Sequence, residues 1–138
     1  MEKIQLDKEL SAQLYKEGKY IAKHCYDNVF DNISSVGFKF KEDLRIMFCY
    51  VSVGIEGLYT RHACYYIDGM AVDPTFVDVY EDKFVEAKVD YIPFKIMTVD
   101  EYFDLLDEEE FADLFKTLAF FEKMKRKELE KNGIVIIG

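Results

Sequence analysis

The sequence predicts an α+β fold, and three features point to this class. Apolar residues recur at helical spacing near the N-terminus and again in the C-terminal third of the chain. Residues 46–53 form a nearly continuous apolar run rich in β-branched and aromatic side chains, which favours a buried strand. Asp68-Gly69 joins two short strand-like runs, and this dipeptide favours a type I′ hairpin because both central residues need a positive φ. We therefore expect one domain over residues 1–138, with helices on a small antiparallel sheet.

The N-terminal half is predicted to place two helices before the central strand. Leu10 and Leu14 have helical spacing, and Gly18 is suited to end the first helix. The second helical pattern ends at a cluster of serine and glycine. The predicted elements are a helix over residues 7–17, a helix over 21–35, an edge strand over 37–40, the central strand over 46–53 and the hairpin around 68–69.

The C-terminal half is predicted to end in helices and a short strand. Thr98 and Glu101 have the spacing of a capping box, in which each side chain satisfies a backbone donor of the other residue. Residues 107–110 are acidic, and basic residues crowd the end of the last helical pattern, which suits the helix dipole. The predicted elements are a weakly patterned segment over 77–89, a strand over 90–97 in which Pro93 marks an edge or a bend, helices over 99–106 and 109–131, and a strand over 134–137.

Composition and charge limit the partners that we expect. The chain has a net charge of −9, which disfavours nucleic acid and anionic membranes as direct partners. No apolar run approaches membrane-spanning length, and the first residues lack the apolar core of a signal peptide, so we expect a cytoplasmic protein. The three cysteines, Cys25, Cys49 and Cys64, lack paired spacing, so we expect neither disulfides nor a zinc site, and no metal or other cofactor.

The predicted hairpin brings a histidine and a carboxylate onto one face. With Asp68-Gly69 as a two-residue turn, Cys64 lies opposite Asp73. His62 is two residues from Cys64 and therefore points to the same face. His62 and Asp73 are then diagonal neighbours, about 7–8 Å apart at the backbone. A carboxylate that accepts a proton from an imidazole is part of a nucleophilic triad, so the sequence predicts two of its three members here.

Three cysteines, along with several serines, are candidates for the nucleophile. Cys49 lies inside the apolar strand, where thiols act as small inert apolar groups. Cys64 shares the rigid hairpin with His62, so the two do not flank a substrate. Cys25 lies near the start of the second helix, where unpaired N–H groups and the helix dipole lower a thiol pKa. Cys25 is therefore the predicted nucleophile.

These residues also carry a family resemblance. The string Lys23-His24-Cys25-Tyr26-Asp27-Asn28 opens a helix, His62-Ala63 lies in a strand, and Asp73-Pro74-Thr75 begins the next element. This order resembles the transglutaminase-like branch of the papain-like cysteine enzymes, including small bacterial and phage-borne members, over about residues 20–76. The resemblance implies a papain-like core in which a nucleophile helix packs on a small antiparallel sheet. The helical patterns of the second half, which lie outside the resemblance, predict a pair of C-terminal helices that covers the other side or end of this sheet. The resemblance assigns Cys25 as nucleophile, His62 as base and Asp73 as the group that orients the imidazole.

The resemblance implies acyl transfer on protein or peptide amides. The backbone N–H of Cys25 is a candidate oxyanion donor, and Tyr20, Asn28 and Cys64 are further candidates on the oxyanion or substrate side. Cys64 stands where family members commonly have a tryptophan that walls the site. Hydrolysis, deamidation and amine transfer share these parts, and the sequence does not choose among them.

Structural roles compete with each functional assignment. Cys25 and His62 are compatible with ordinary packing, and an aspartate before proline often forms a turn through its own side chain. His24 is interpreted as an exposed helix-start residue, and residues 107–110 as a solvated helix start. Two other classes stay open: a catalytically inactive papain-like module, possibly phage-encoded, that binds or inhibits a basic protein partner, and an acidic nucleic-acid mimic with residues 100–110 as its contact face.

Overall fold

The computed structural model describes residues 1–106 and 112–137 and has an α+β fold. Within these residues, six strands form one sheet and five α-helices cover it. The strands are β1 (Ile4–Gln5), β2 (Arg45–Ser52), β3 (Leu58–Ile67), β4 (Met70–Val72), β5 (Asp90–Thr98) and β6 (Val135–Ile137). The helices are α1 (Lys8–Glu17), α2 (Cys25–Phe40), α3 (Pro74–Tyr80), α4 (Val99–Asp104) and α5 (Ala112–Lys131).

The sheet is mixed, so the expectation of a purely antiparallel sheet was wrong. Its strands run in the order β1-β5-β2-β3-β4, all antiparallel, and β6 pairs with β3 in parallel. The predicted strand over 134–137 is confirmed as β6. Its direction follows from α5, which carries the chain back along the sheet so that β6 enters in the same direction as β3. Because β4 and β6 pair with opposite ends of β3, no strand among the described residues pairs with its middle on that edge.

The hairpin register is confirmed. Tyr65 pairs with Val72, and Ile67 pairs with Met70. Asp68 and Gly69 have φ of 52° and 80°, the left-handed values that a tight two-residue turn requires. Because the register fixes which side chains share a face, it directs His62 to the side on which β4 ends and Asp73 begins.

The first helix follows the prediction, whereas the second, predicted over 21–35, differs at both ends. Helix α1 is confirmed, with the carboxylate of Asp7 accepting from the backbone N–H of Leu10 at 3.0 Å. Helix α2 begins at Cys25 and continues to Phe40, so the predicted edge strand over 37–40 was wrong. Gly37 suggested an end to the helix, but Val36 and Phe40 continue its apolar stripe into the core. Packing of this stripe outweighs the low helix propensity of one glycine.

The C-terminal elements largely follow the prediction. The strand over 90–97 is confirmed as β5, and the pairing of β2 with β5 shifts where Cys49 meets Pro93, which is the expected bend. Both hydrogen bonds of the Thr98–Glu101 capping box are present. The weakly patterned segment after the hairpin contains α3, which has Pro74 in its first turn. The predicted start of the last helix, including the acidic residues 107–110, lies outside the described residues.

The two faces of the sheet carry separate apolar clusters. Phe48 and Tyr50 of β2 face α2, α4 and α5, whereas Met47 and Cys49 face the side covered by α3. The C-terminal helices therefore lie on the same face as α2, so of the two expected positions, the other side or the end of the sheet, the first was wrong. The face that carries the larger side chains, including Phe48 and Tyr50, is covered by three helices, because protein interiors are closely packed. No helix in the described parts of the chain is long and apolar enough to cross a membrane.

Candidate active site

Cys25 lies at the N-terminus of α2, near Ala63 in the middle of β3. It is the first residue of the helix and is partly exposed. His24 precedes it as the N-cap but makes no side-chain cap hydrogen bond. The first backbone N–H groups of a helix have no intrahelical acceptor, so they point towards a group bound at this end. A partly exposed thiol at such a position is accessible to a reactant.

His62 and Asp73 form a buried pair on the hairpin. The Nε2 atom of His62 lies 2.7 Å from Oδ2 of Asp73, and these residues are 4% and 0% exposed. Asp73 is the N-cap of α3, yet its side chain makes no cap hydrogen bond. The carboxylate is directed to the imidazole instead of forming the local turn that the Asp-Pro sequence also allowed.

Residues from distant parts of the chain hold this pair in place. The hydroxyl of Tyr91 in β5 donates to the same Oδ2 atom of Asp73 at 2.7 Å. The backbone N–H of Asp73 donates to the hydroxyl of Ser11 in α1 at 2.9 Å. The ring of Phe76 lies against His62, with centroids 4.8 Å apart, and shields the imidazole on one side. The pair is thus fixed by hydrogen bonds and by packing, which limits the orientations of the imidazole.

The free side of the imidazole meets the thiol. The thiol of Cys25 and the imidazole of His62 are close enough to shift each other's pKa. With Nε2 engaged by Asp73, Nδ1 is the ring nitrogen left to exchange a proton with the thiol. The backbone N–H of Ala63 is also close enough to the sulfur to lower the thiol pKa. The structure therefore brings Cys25 near the hydrogen-bonded pair of His62 and Asp73.

The electrostatics of these three groups favour a charged thiol–imidazole pair. Burial raises the pKa of Cys25, but the hydrogen bond and charge of His62, with the Ala63 N–H, outweigh it and leave the pKa below the ordinary value of 9.0. Burial lowers the pKa of His62, but the charge and hydrogen bond of Asp73 reverse this and raise it well above 6.5. Shifts in these two directions bring the pair closer to the thiolate–imidazolium form than an isolated thiol and imidazole would be.

Two asparagines one turn apart fix the loop that precedes the thiol. The side-chain amide of Asn28 donates to the carbonyl of Ile21 at 2.8 Å and to the hydroxyl of Thr75 at 3.0 Å, and its Oδ1 accepts from the N–H of Ile21. Asn32 makes a similar pair of bonds to the backbone of Lys19. Both N–H donors of Asn28 are therefore used within the fold. Asn28 therefore connects α2 to the segment after the hairpin, and it has no N–H left to donate to an oxyanion.

The other two substrate-side candidates are buried. Cys64 is 1% exposed, and burial followed by its hydrogen bond with Cys49 raises its pKa well above 9.0. Tyr20 is 5% exposed and hydrogen-bonds with Tyr65 inside the core. Burial also raises the pKa of Tyr20 to about 12. The structure places neither side chain where it faces an incoming substrate.

Some residues that shape the site carried no signal in the sequence. Tyr91 and Ser11 are far from Asp73 along the chain, and nothing in their local patterns indicates a polar contact. His24, interpreted as an exposed helix-start residue, is exposed, with Nδ1 3.8 Å from the carboxylate of Asp27. Across residues 1–106 and 112–137, no three His, Cys, Asp or Glu side chains are grouped so that they could hold a metal ion.

Comparisons with family models, with curated proteins and with solved structures find no match to this chain. Function is therefore inferred from the geometry of Cys25, His62 and Asp73.

Proposed function

We propose that the protein is a cysteine-dependent acyl-transfer enzyme that acts on protein or peptide amides, with a papain-like or transglutaminase-like core. The proposal rests on the approach of Cys25 to His62, whose imidazole is hydrogen-bonded to Asp73. Its members come from three separate elements, and the thiol has a lowered pKa and is the most accessible of the three. A nucleophile, its base and a group that orients the base are the parts that covalent acyl transfer needs.

The first half of the reaction forms an acyl-enzyme. Cys25 transfers its proton to Nδ1 of His62, and the thiolate sulfur attacks the carbonyl carbon of the amide. The negative oxygen that develops is stabilised by the backbone N–H of Cys25 at the start of α2. The C–N bond then breaks, the leaving nitrogen takes the proton from His62, and a thioester to Cys25 remains. Asp73 keeps the imidazole oriented and stabilises its positive charge.

The second half releases the acyl group. Water or an amine loses a proton to His62 and attacks the thioester carbon, and the sulfur leaves as the thiolate. Water gives hydrolysis or deamidation, and an amine gives transfer. One set of side chains supports all three outcomes, because they differ only in the leaving nitrogen and in the second nucleophile.

The proposal is tested with a generic acyl donor. We expect p-nitrophenyl acetate to release one equivalent of nitrophenol rapidly and to leave one acetyl group on Cys25, detected by peptide mass mapping. Cys25→Ser abolishes the rapid phase, and Cys64→Ala keeps it. Acetylation spread over lysines, with no rapid phase that depends on Cys25, would reject the enzyme.

The second candidate is a catalytically inactive papain-like module that binds a basic protein. The net charge of −9 and the exposed carboxylates of Asp100, Glu101 and Asp104 favour it. The same carboxylates form the described part of the contact face of the nucleic-acid mimic. Both binding alternatives predict an unreactive Cys25 and an affinity for a basic protein that falls steeply with salt.

A further inference from the structure

Helix α3 contacts the surroundings of all three candidate catalytic residues. Asp73 is its N-cap, and the ring of Phe76 in its first turn packs on the imidazole of His62, with centroids 4.8 Å apart. Cys25 belongs to another element, α2, yet the chain on both sides of it is hydrogen-bonded to α3. One helix of seven residues therefore touches the base, the carboxylate and the segment that carries the thiol.

Two side chains of α3 hold the chain around Cys25. The hydroxyl of Thr75 accepts a hydrogen bond from the side-chain amide of Asn28 at 3.0 Å, and the carboxylate of Asp78 accepts one from the backbone N–H of Ala22 at 2.8 Å. Thr75 and Asp78 are three residues apart, so they lie on one face of the helix. Ala22 lies three residues before Cys25, and Asn28 lies three residues after it. The two bonds therefore fix the chain on both sides of the thiol.

The bond between Thr75 and Asn28 is buried, and each residue is 3% exposed. The amide of Asn28 also bonds the N–H and the carbonyl of Ile21, so it cannot turn without losing three hydrogen bonds. The backbone N–H of Asn28 donates to the carbonyl of His24 at 2.8 Å, which closes the first turn of α2 around Cys25. A displacement of Asn28 therefore moves the thiol with it.

The turn that leads into the thiol is strained and needs these contacts. Lys23 has a φ of 71°, in the left-handed region that favours glycine. Strained backbone persists where the surrounding contacts determine its conformation. Here the contacts are the bonds to Ile21 and Ala22, which come from Asn28 and Asp78.

We propose that Thr75 and Asp78 are positioning residues, which hold the thiol of Cys25 near the imidazole of His62. The inference rests on the proposed function and goes beyond it, because it assigns the separation of nucleophile and base to α3. Asp73 lies at the start of the same helix, so one element sets both the orientation of the imidazole and the place of the sulfur. A misplacement of about 1 Å in such a geometry lowers a rate by about 10²-fold.

The first test changes only the hydroxyl of Thr75. Thr75→Val removes the acceptor of the Asn28 amide and keeps the shape of the side chain, whereas Thr75→Ser keeps the hydroxyl. The probe is iodoacetamide, and the readout is the pH at which Cys25 reaches half of its plateau labelling rate. We expect this pH to rise in Thr75→Val, because a thiolate farther from His62 is less stabilised, and to stay in Thr75→Ser. A rise of one pH unit lowers the labelling rate at neutral pH by about tenfold.

The second test removes the bond on the other side of Cys25. Asp78→Ala leaves the N–H of Ala22 without its acceptor, and because Asp78 is only partly buried, this variant decides if Thr75→Val does not fold. Tyr15→Phe is the matched control, since it removes the hydroxyl that donates to Oδ1 of Asp78 at 2.7 Å and leaves the bond from Ala22 to Oδ2. We expect the half-maximal pH to rise in Asp78→Ala and to keep its wild-type value in Tyr15→Phe. Urea unfolding shows that each variant is folded.

A folded Thr75→Val or Asp78→Ala with the wild-type half-maximal pH would overturn the inference. An equal rise in Thr75→Ser or Tyr15→Phe would overturn it as well, because the effect would then not depend on the bonds to Asn28 and Ala22. In each of these cases, a wild-type value below pH 9.0, the ordinary thiol value, leaves the proposed function standing. A wild-type value at or above pH 9.0 would reject the proposed function, and the inference with it.

Discussion

Cys25 and Cys64 carry the same thiol in opposite surroundings. Cys25 is partly exposed at a helix start, and its pKa lies below the ordinary value because His62 and a backbone N–H stabilise the thiolate. Cys64 lies inside the apolar face of β3, and its pKa is raised because burial and its neighbour Cys49 oppose the charge. Residue type alone therefore does not identify a nucleophile. The difference lies in the groups that surround the sulfur, which the substitutions of His62, Asp73, Tyr91 and Cys64 change one at a time.

The largest effect is expected for His62→Ala. It removes the base and the charge that lower the pKa of Cys25, so the acylation rate should fall by up to about 10⁶-fold, as for a triad that has lost its histidine. The rate of nitrophenol release measures this. His24→Ala is the control, since His24 is exposed and directed to Asp27. Equal losses in the two variants would mean that His62 is not the base.

Asp73→Asn should have the second largest effect. We expect the acylation rate to fall by about 10⁴-fold, because the imidazole takes the wrong tautomer. The side chain keeps its size, so the fold is expected to survive, which circular dichroism checks. The pH dependence of the residual rate should move as well, because the charge that raises the pKa of His62 has gone. A folded variant with an unchanged rate and pH profile would remove Asp73 from the site.

Tyr91→Phe removes one of the two hydrogen bonds to Oδ2 of Asp73 and leaves the other to His62. A hydrogen bond to a charged group contributes about 1.5–3 kcal/mol, so we expect urea unfolding to show a free-energy loss of this size. The acylation rate should fall only severalfold, because the imidazole keeps its partner. A rate loss as large as that of Asp73→Asn would mean that Tyr91, not Asp73, orients the base.

Cys64→Ala should have the smallest effect. Loss of a buried sulfur costs about 1 kcal/mol of stability, the typical value for a point mutation. The acylation rate of Cys25 should be unchanged, since Cys64 is buried and does not face a substrate. A marked fall in that rate would mean that Cys64 contacts the substrate.

The sequence was most informative where structure is decided locally. The Asp68-Gly69 turn sets the register of the hairpin by itself, and the Thr98–Glu101 capping box needs only its own four residues. The end of α2 was missed because Gly37 is a local signal, whereas contacts with distant strands decide where the helix stops. The pairing of β6 with β3 and the contact of Tyr91 with Asp73 depend on strand order, which no local pattern encodes. The roles of Cys25, His62 and Asp73 remain predictions.

The pH dependence of the Cys25 labelling rate shows most simply whether this residue is a reactive thiolate. Iodoacetamide labelling, mapped by mass spectrometry, gives the rate at each cysteine as a function of pH. With its pKa lowered, Cys25 should gain reactivity as pH rises and reach half of its plateau rate below pH 9.0, the ordinary thiol value, while Cys64 stays slow throughout. A Cys25 whose half-maximal rate lies at or above pH 9.0, or whose rate never exceeds that of Cys64, would show that His62 does not activate the thiol.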